Sequence, residues 1–230
     1  MPARYLRVVT FQPDGHESSV DAALRDRFLP ALLARDAVVD AWIGRHGTRT
    51  DHTRVIASTW SELPGDAPPG DSLPDVEFLV NLEASVAGGL TIEREQTLDL
   101  AVHARFERAD PARILRLFRG RVREGELDAY VADARSGMLA DAMVNDGLVA
   151  FALGADPPEA FVTVSVWTGW AAIEEATGGN TRQPIATRNS IWLTGFEVVH
   201  FEVLPDASDR RSGDAQAGAP QVEGETAAGS

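Results

Sequence analysis

Phe161-Val162-Thr163-Val164-Ser165-Val166-Trp167 decides how this chain is read. Its period-two alternation marks a β-strand. Its ending, Ser165-Val166-Trp167, repeats Ser58-Thr59-Trp60 from the first half of the chain. Further matches flank the pair. Val102-His103 returns as Val199-His200, and Phe11-Gln12-Pro13-Asp14-Gly15 and Arg121-Val122-Arg123-Glu124-Gly125 each lead into a helical pattern. The copies stand 110 residues apart at Gly15 and Gly125, 107 at Trp60 and Trp167, and 97 at His103 and His200. The last shortfall falls where the first copy carries a Pro/Gly-rich stretch from Leu63 to Asp71. A surface loop absorbs such an insertion at little closure cost. A repeat of this kind points to a duplicated half-domain.

In the first copy, residues 4–11 read as a strand stopped by Pro13-Asp14-Gly15. Residues 20–37 read as a helix, with Leu24, Phe28 and Leu32 at helical spacing and a kink predicted at Pro30. Strands follow at 38–44 and 54–60, a helix at 74–87 ended by Gly88-Gly89, and a strand at 97–107. The second copy gives strands at 113–122, 148–153, 161–167 and 196–204, with helices at 127–143 and 170–176. Both copies are thus β-α-β-β-α-β, the ferredoxin-like order. The expected fold class is α+β. Two ferredoxin-like repeats, residues 1–110 and 111–205, would pack their antiparallel sheets into an intramolecular α+β barrel. Val162, Val164 and Val166 are assigned to the face under the helices. Phe161, Thr163, Ser165 and Trp167 are assigned to a barrel interior that holds a pocket. The acidic, Gly/Ala-rich tail 206–230 is expected to be disordered, because it cannot bury enough surface to offset its ordering entropy.

Composition narrows the chemistry. The absence of Cys excludes disulfides and thiol nucleophiles. Lys is absent too, so all 21 basic residues are Arg and no Schiff base can form. A net charge of −14 without a basic stripe argues against nucleic acid. No apolar run reaches the length of a membrane span, and the start, Met1-Pro2-Ala3-Arg4-Tyr5, runs straight into a strand. A cytoplasmic protein without membrane partners is expected. It would be a monomeric pseudo-dimer or pair further as a homodimer.

The element order, the third strand ending in Trp, and the segment Trp167-Thr168-Gly169-Trp170-Ala171-Ala172-Ile173-Glu174-Glu175-Ala176 resemble the antibiotic-biosynthesis-monooxygenase family of the dimeric α+β barrel superfamily. The chain resembles a tandem fusion of that family's single domain. The resemblance implies a small-molecule ligand held between a sheet and its helices or inside the barrel. It implies one of three outcomes: cofactor-free oxidation of an aromatic substrate, haem binding, or no activity. The third-strand Trp that supports catalysis in active members corresponds to Trp60 and Trp167. The family's first-strand Asn has no counterpart in residues 4–12 or 113–123. The helix His of haem-degrading members has none in 73–87 or 170–176. No cofactor is assigned.

His200 and Arg188 are the catalytic candidates. His200 would act as a base, or as an axial ligand in the alternative haem-binding reading. Arg188 would hold an anionic or phenolate group. Trp167 would stack on an aromatic ligand, with Thr163 and Ser165 beside it, and Trp60 and His103 as weaker ligand-binding candidates. The competing reading of each His is an imidazole bonded to a neighbouring carboxylate; that of each Trp is core packing. His46, Arg49, Asp51 and His52 match no standard metal spacing, and no metal is assigned. The Arg-rich strand 113–123 reads as having one wet face. A third reading is a non-catalytic structural or interaction protein whose barrel is filled by side chains.

Overall fold

Among the described residues, alternating runs rich in Val, Ile, Phe and Trp form eight strands, as such residues do on a pleated surface. They are β1 (Tyr5–Pro13), β2 (Val38–His46), β3 (Arg54–Trp60), β4 (Leu90–Arg105), β5 (Ile114–Val122), β6 (Leu148–Asp156), β7 (Ala160–Trp167) and β8 (Leu193–Val203). The structure, a computed structural model, describes residues 1–14, 17–47, 52–63, 76–86, 89–138, 140, 144–185 and 191–205. Arg188 and the tail 206–230 lie outside the described residues. All pairings are antiparallel, and the order β1-β3-β2-β8-β5-β7-β6-β4 closes on itself as a ring. The first four strands are ordered β4-β1-β3-β2 and the last four β8-β5-β7-β6, the same order in each half.

Helices α1 (Glu17–Ala23), α2 (Leu29–Leu33) and α3 (Val76–Ser85) accompany the first half; α4 (Leu127–Asp133) and α5 (Trp170–Ala176) accompany the second. The kink expected at Pro30 takes a specific form. A π-helical turn, Leu24–Phe28, joins α1 to α2, and the Leu29 N–H reaches back to the Leu24 carbonyl. Pro30 then sits in the first turn of α2, where its missing N–H breaks no hydrogen bond. Val20, Leu24, Phe28 and Leu32 pack on Val9, Phe11, Ile56 and Trp60 outside the ring.

The faces of β7 are the reverse of the sequence expectation. Val162, Val164 and Val166 point into the ring, where they meet Leu6, Val8, Leu115, Leu117, Ala150 and Ala152. Phe161 and Trp167 pack under the helices with Leu127, Tyr130 and Ile173. The physical reason is width. An eight-stranded ring has an interior that side chains just fill; here Val, Leu and Ala fill it together with Trp42 and Phe201, while the large rings of β7 go to the sheet–helix layer. The expected pocket inside the ring is therefore replaced by a packed core.

Each end of that core carries a polar cluster. At one end Asp40, 3% exposed, accepts a bond from His103 Nε2 at 2.9 Å and pairs with Arg105 across the ring. At the other, Arg119 donates to Gln96 Oε1 at 3.1 Å and lies 3.6 Å from Glu197.

The two places where the halves join are alike. Gly44 on β2 lies opposite Val203 of β8, and Gly154 on β6 lies opposite Leu100 of β4. A Cβ on Gly44 would stand 2.6 Å from Phe201 Cβ, and one on Gly154 2.6 Å from Leu98 Cβ. Each glycine lets the other half's strand approach. Gly44→Ala and Gly154→Ala are each expected to destabilise the fold by about 1–3 kcal/mol through overpacking. Urea denaturation checks this; a loss below a few tenths would show that the junctions are loose.

The register corrects one sequence match. Arg7 faces Ser58 and Thr97, while Arg116 faces Ser165 and His200. The counterpart of His200 is thus Thr97, not His103. The misreading arose because β4 starts at Leu90 rather than at 97 and because its alternation breaks between Leu100 and Val102.

Candidate functional site

On the outer face of the second sheet, β5 and β8 place Arg116 directly opposite His200, with Ser165 on the other side of Arg116. Arg116 is 2% exposed. Its Nη2 donates to the Gln183 carbonyl at 2.6 Å and its Nε to the Thr181 carbonyl at 3.4 Å, and the guanidinium lies 5.4 Å over the Phe118 ring. Both carbonyls belong to the segment between α5 and β8. Burial lowers Arg116 to about 10, so it stays charged at neutral pH. The same burial pushes the Tyr130 phenol up, so it stays neutral.

His200 is held neutral. Burial, then repulsion by Arg116 and Arg182, lowers it to about 4, opposed by the Thr181 backbone. Its Nε2 is buried and has no hydrogen-bond partner among the described residues. The Trp170 ring lies 5.0 Å from it. An orphaned buried ring nitrogen is costly and calls for an explanation. Protonating His200 in the unfolded chain begins near 6.5, whereas in the fold it waits until about 4. Its contribution is therefore complete above 6.5 and is lost as pH falls towards 4. The Tm of the native protein should drop more steeply across that window than that of His200→Gln, as differential scanning calorimetry at several pH values would show; parallel curves would contradict the shift.

Aromatic rings border this polar pair. Phe118 stacks on Phe196 at 5.5 Å and on Phe161 at 5.7 Å. Trp170 and Phe196 are 46% and 44% exposed, far more than buried core aromatics. A cavity of about 460 Å³ opens beside Phe196, walled also by Thr177, Gln183, Ile185 and Leu193. Apolar walls with a few polar groups are the usual make-up of a ligand site. A larger cavity of about 630 Å³ lies at the far end of the ring, lined by Trp42, Arg105, Phe106 and Arg108 among others. Its cations are already engaged: Arg105 by Asp40, and Arg108 by the carbonyls of Leu148 and Asn145. The second-sheet layer is the better candidate because His200 Nε2 there is buried without a hydrogen-bond partner among the described residues.

The structure gathers His200, Ser165, Thr163 and Trp167 on one sheet face. Trp167 is 1% exposed and donates Nε1–H to Ser165 Oγ at 2.9 Å; it is a core residue beneath the site. Trp60 does the same with Ser58 at 2.8 Å on the first sheet, remote from His200. His103 is bonded to a carboxylate, Asp40. Sequence reasoning missed Arg116, Phe118, Trp170 and Phe196. Arg116 was assigned to a wet face, and only its place opposite His200 in the register reveals it. Among the described residues no cluster of three His, Asp or Glu could hold a metal. No described helix is long and apolar enough to cross a membrane.

Ring and helices define an α+β fold built on an eight-stranded antiparallel ring. Its solved neighbours are distant in sequence. A candidate monooxygenase from Lactobacillus acidophilus superposes with a TM-score of 0.61 at 9% identity, over 88% of this chain and 95% of that one. Another, from Fusobacterium nucleatum, gives 0.59 at 14% identity, over 89% and 94%. A candidate chlorite dismutase gives 0.56 at 15% identity, over 91% and 97%. No protein-family model matches the sequence, and no curated protein does. Identities this low establish the fold, so chemistry has to be argued from this chain's own residues.

Proposed function

We propose that the chain is a tandem duplication whose second half binds a small aromatic molecule between its sheet and helices and oxidises it in the manner of cofactor-free monooxygenases. The single observation that carries this reading is the buried His200 Nε2, which has no hydrogen-bond partner among the described residues and sits between Arg116 and Trp170. The matched strand order and the paired Gly44 and Gly154 junctions support the duplication.

A ligand ring would lie against Trp170 and Phe196. A phenol or enol hydroxyl would then meet His200. Neutral imidazole is the form that can accept a proton. At about 4 it is a weak base, but an anion formed beside it replaces part of the repulsion by Arg116 with attraction and restores its basicity. Arg116 stabilises the same anion. The anion gives an electron to oxygen more readily than the neutral phenol does. In the net reaction an aromatic methylene and O₂ become a carbonyl and water, and the proton held by His200 leaves with that water.

A haem does not fit these residues. None of the described helices carries a His. No step is routed through one.

The test is titration with 1-naphthol at pH 7. Saturable binding with a rise in Tm, and absorbance of bound naphtholate that His200→Gln abolishes, is expected. Binding of neutral naphthol alone would remove the base role, and no binding would remove the site.

A further inference from the structure

The two halves differ at one charge. Arg7 on β1 and Arg116 on β5 occupy equivalent positions, opposite Ser58 and Ser165 respectively, and both are 2% exposed. In the first half, Arg7 forms an ion pair with Glu95 of β4. Glu95 lies opposite Val9, and the residue in the matching place of the second half, opposite Phe118, is Val198. Val198 is apolar and packs into the second sheet–helix core. Arg116 keeps the buried cation without a carboxylate among the described residues; its hydrogen-bond partners there are the two loop carbonyls.

Removing one partner of a buried pair leaves a strongly unfavourable charge. A chain that retains such a cation next to a cavity walled by Gln183, whose carbonyl it holds, and by Phe196 has a use for it. We infer that the second half takes an aromatic carboxylate, whose carboxylate Arg116 binds where Glu95 binds Arg7 in the first half. Guanidinium is the group best shaped for a carboxylate. His200 lies next to Arg116 across the β5–β8 ladder, so a hydroxyl adjacent to the carboxylate on the ligand ring would reach the imidazole. An ortho-hydroxy aromatic acid fits both groups. The inference rests on the ligand site proposed above and adds the ligand's permanent charge.

The probes are 1-hydroxy-2-naphthoate and its uncharged analogue 1-naphthol, each titrated by isothermal calorimetry. The readout is the ratio of their affinities. In the native protein the naphthoate should bind roughly tenfold to a hundredfold more tightly, the worth of a hydrogen bond to a charged group. Val198→Glu, which restores the first-half arrangement, should bring the ratio to one or below. Arg116→Gln reads the same ratio should Val198→Glu fail to fold. Equal binding of both probes by the native protein would overturn the inference and leave the aromatic site standing. A ratio that survives in both variants would overturn it too. Binding of neither probe would remove the inference together with the site.

Discussion

Arg54→Ala should destabilise the protein by about 3–5 kcal/mol, because it removes the close partner of the largely buried Asp21 carboxylate. Arg54 is 1% exposed on β3, and its Nε donates to Asp21 of α1 at 2.7 Å while Nη1 reaches the His52 carbonyl at 2.8 Å. Asp21 lies 3.6 Å from Arg45 of β2, which donates to Glu202 of β8 at 2.7 Å. One network thus fixes the first helix to the sheet and spans the shorter junction between the halves. The inner pair dominates, since the Arg45–Glu202 pair is exposed and worth at most about 1 kcal/mol. Against a total stability of about 5–15 kcal/mol, the loss is large. Guanidinium denaturation of Arg54→Ala and of the double variant Asp21→Leu/Arg54→Met checks it. The double variant should recover much of the loss, because no lone charge remains. Losses that simply add would show that the two groups do not act as a pair.

Trp167→Ala should cost about 3–5 kcal/mol as a large-to-small core change, and leave binding of 1-naphthol measurable wherever the variant is folded. Trp167 is buried beneath the helices, and its indole N–H is satisfied by Ser165. A ligand-stacking role would give the opposite pattern: modest destabilisation and lost binding. Trp170→Ala, at a ring nearly half exposed beside His200, should reverse the two effects. Thermal denaturation and fluorescence titration of the two variants separate these readings.

Strand order was legible because period-two alternation and the recurring Ser-x-Trp ending survive in the sequence. Which face of each strand turns inward was not. Val162, Val164 and Val166 suit either a ring interior or a helix-covered face, and only the width of the closed ring distinguishes them. The eclipse of Glu95 has a similar cause. A charged run, Glu93-Arg94-Glu95, looks solvated, yet Glu95 pairs with the buried Arg7 and belongs to β4. Of the site, His200 could be singled out by its type and by alternation. Arg116 could not, since a buried and an exposed Arg on one strand look alike until the partners of each are known. Trp170 was visible only as the start of a short helix.

The most direct test is a crystal structure of the protein with 1-naphthol bound. The ring should lie between Trp170 and Phe196, over Arg116, with its hydroxyl at His200 Nε2. A ligand within the strand ring, or in the cavity beside Phe106 and Arg108, would contradict a site built on the second sheet.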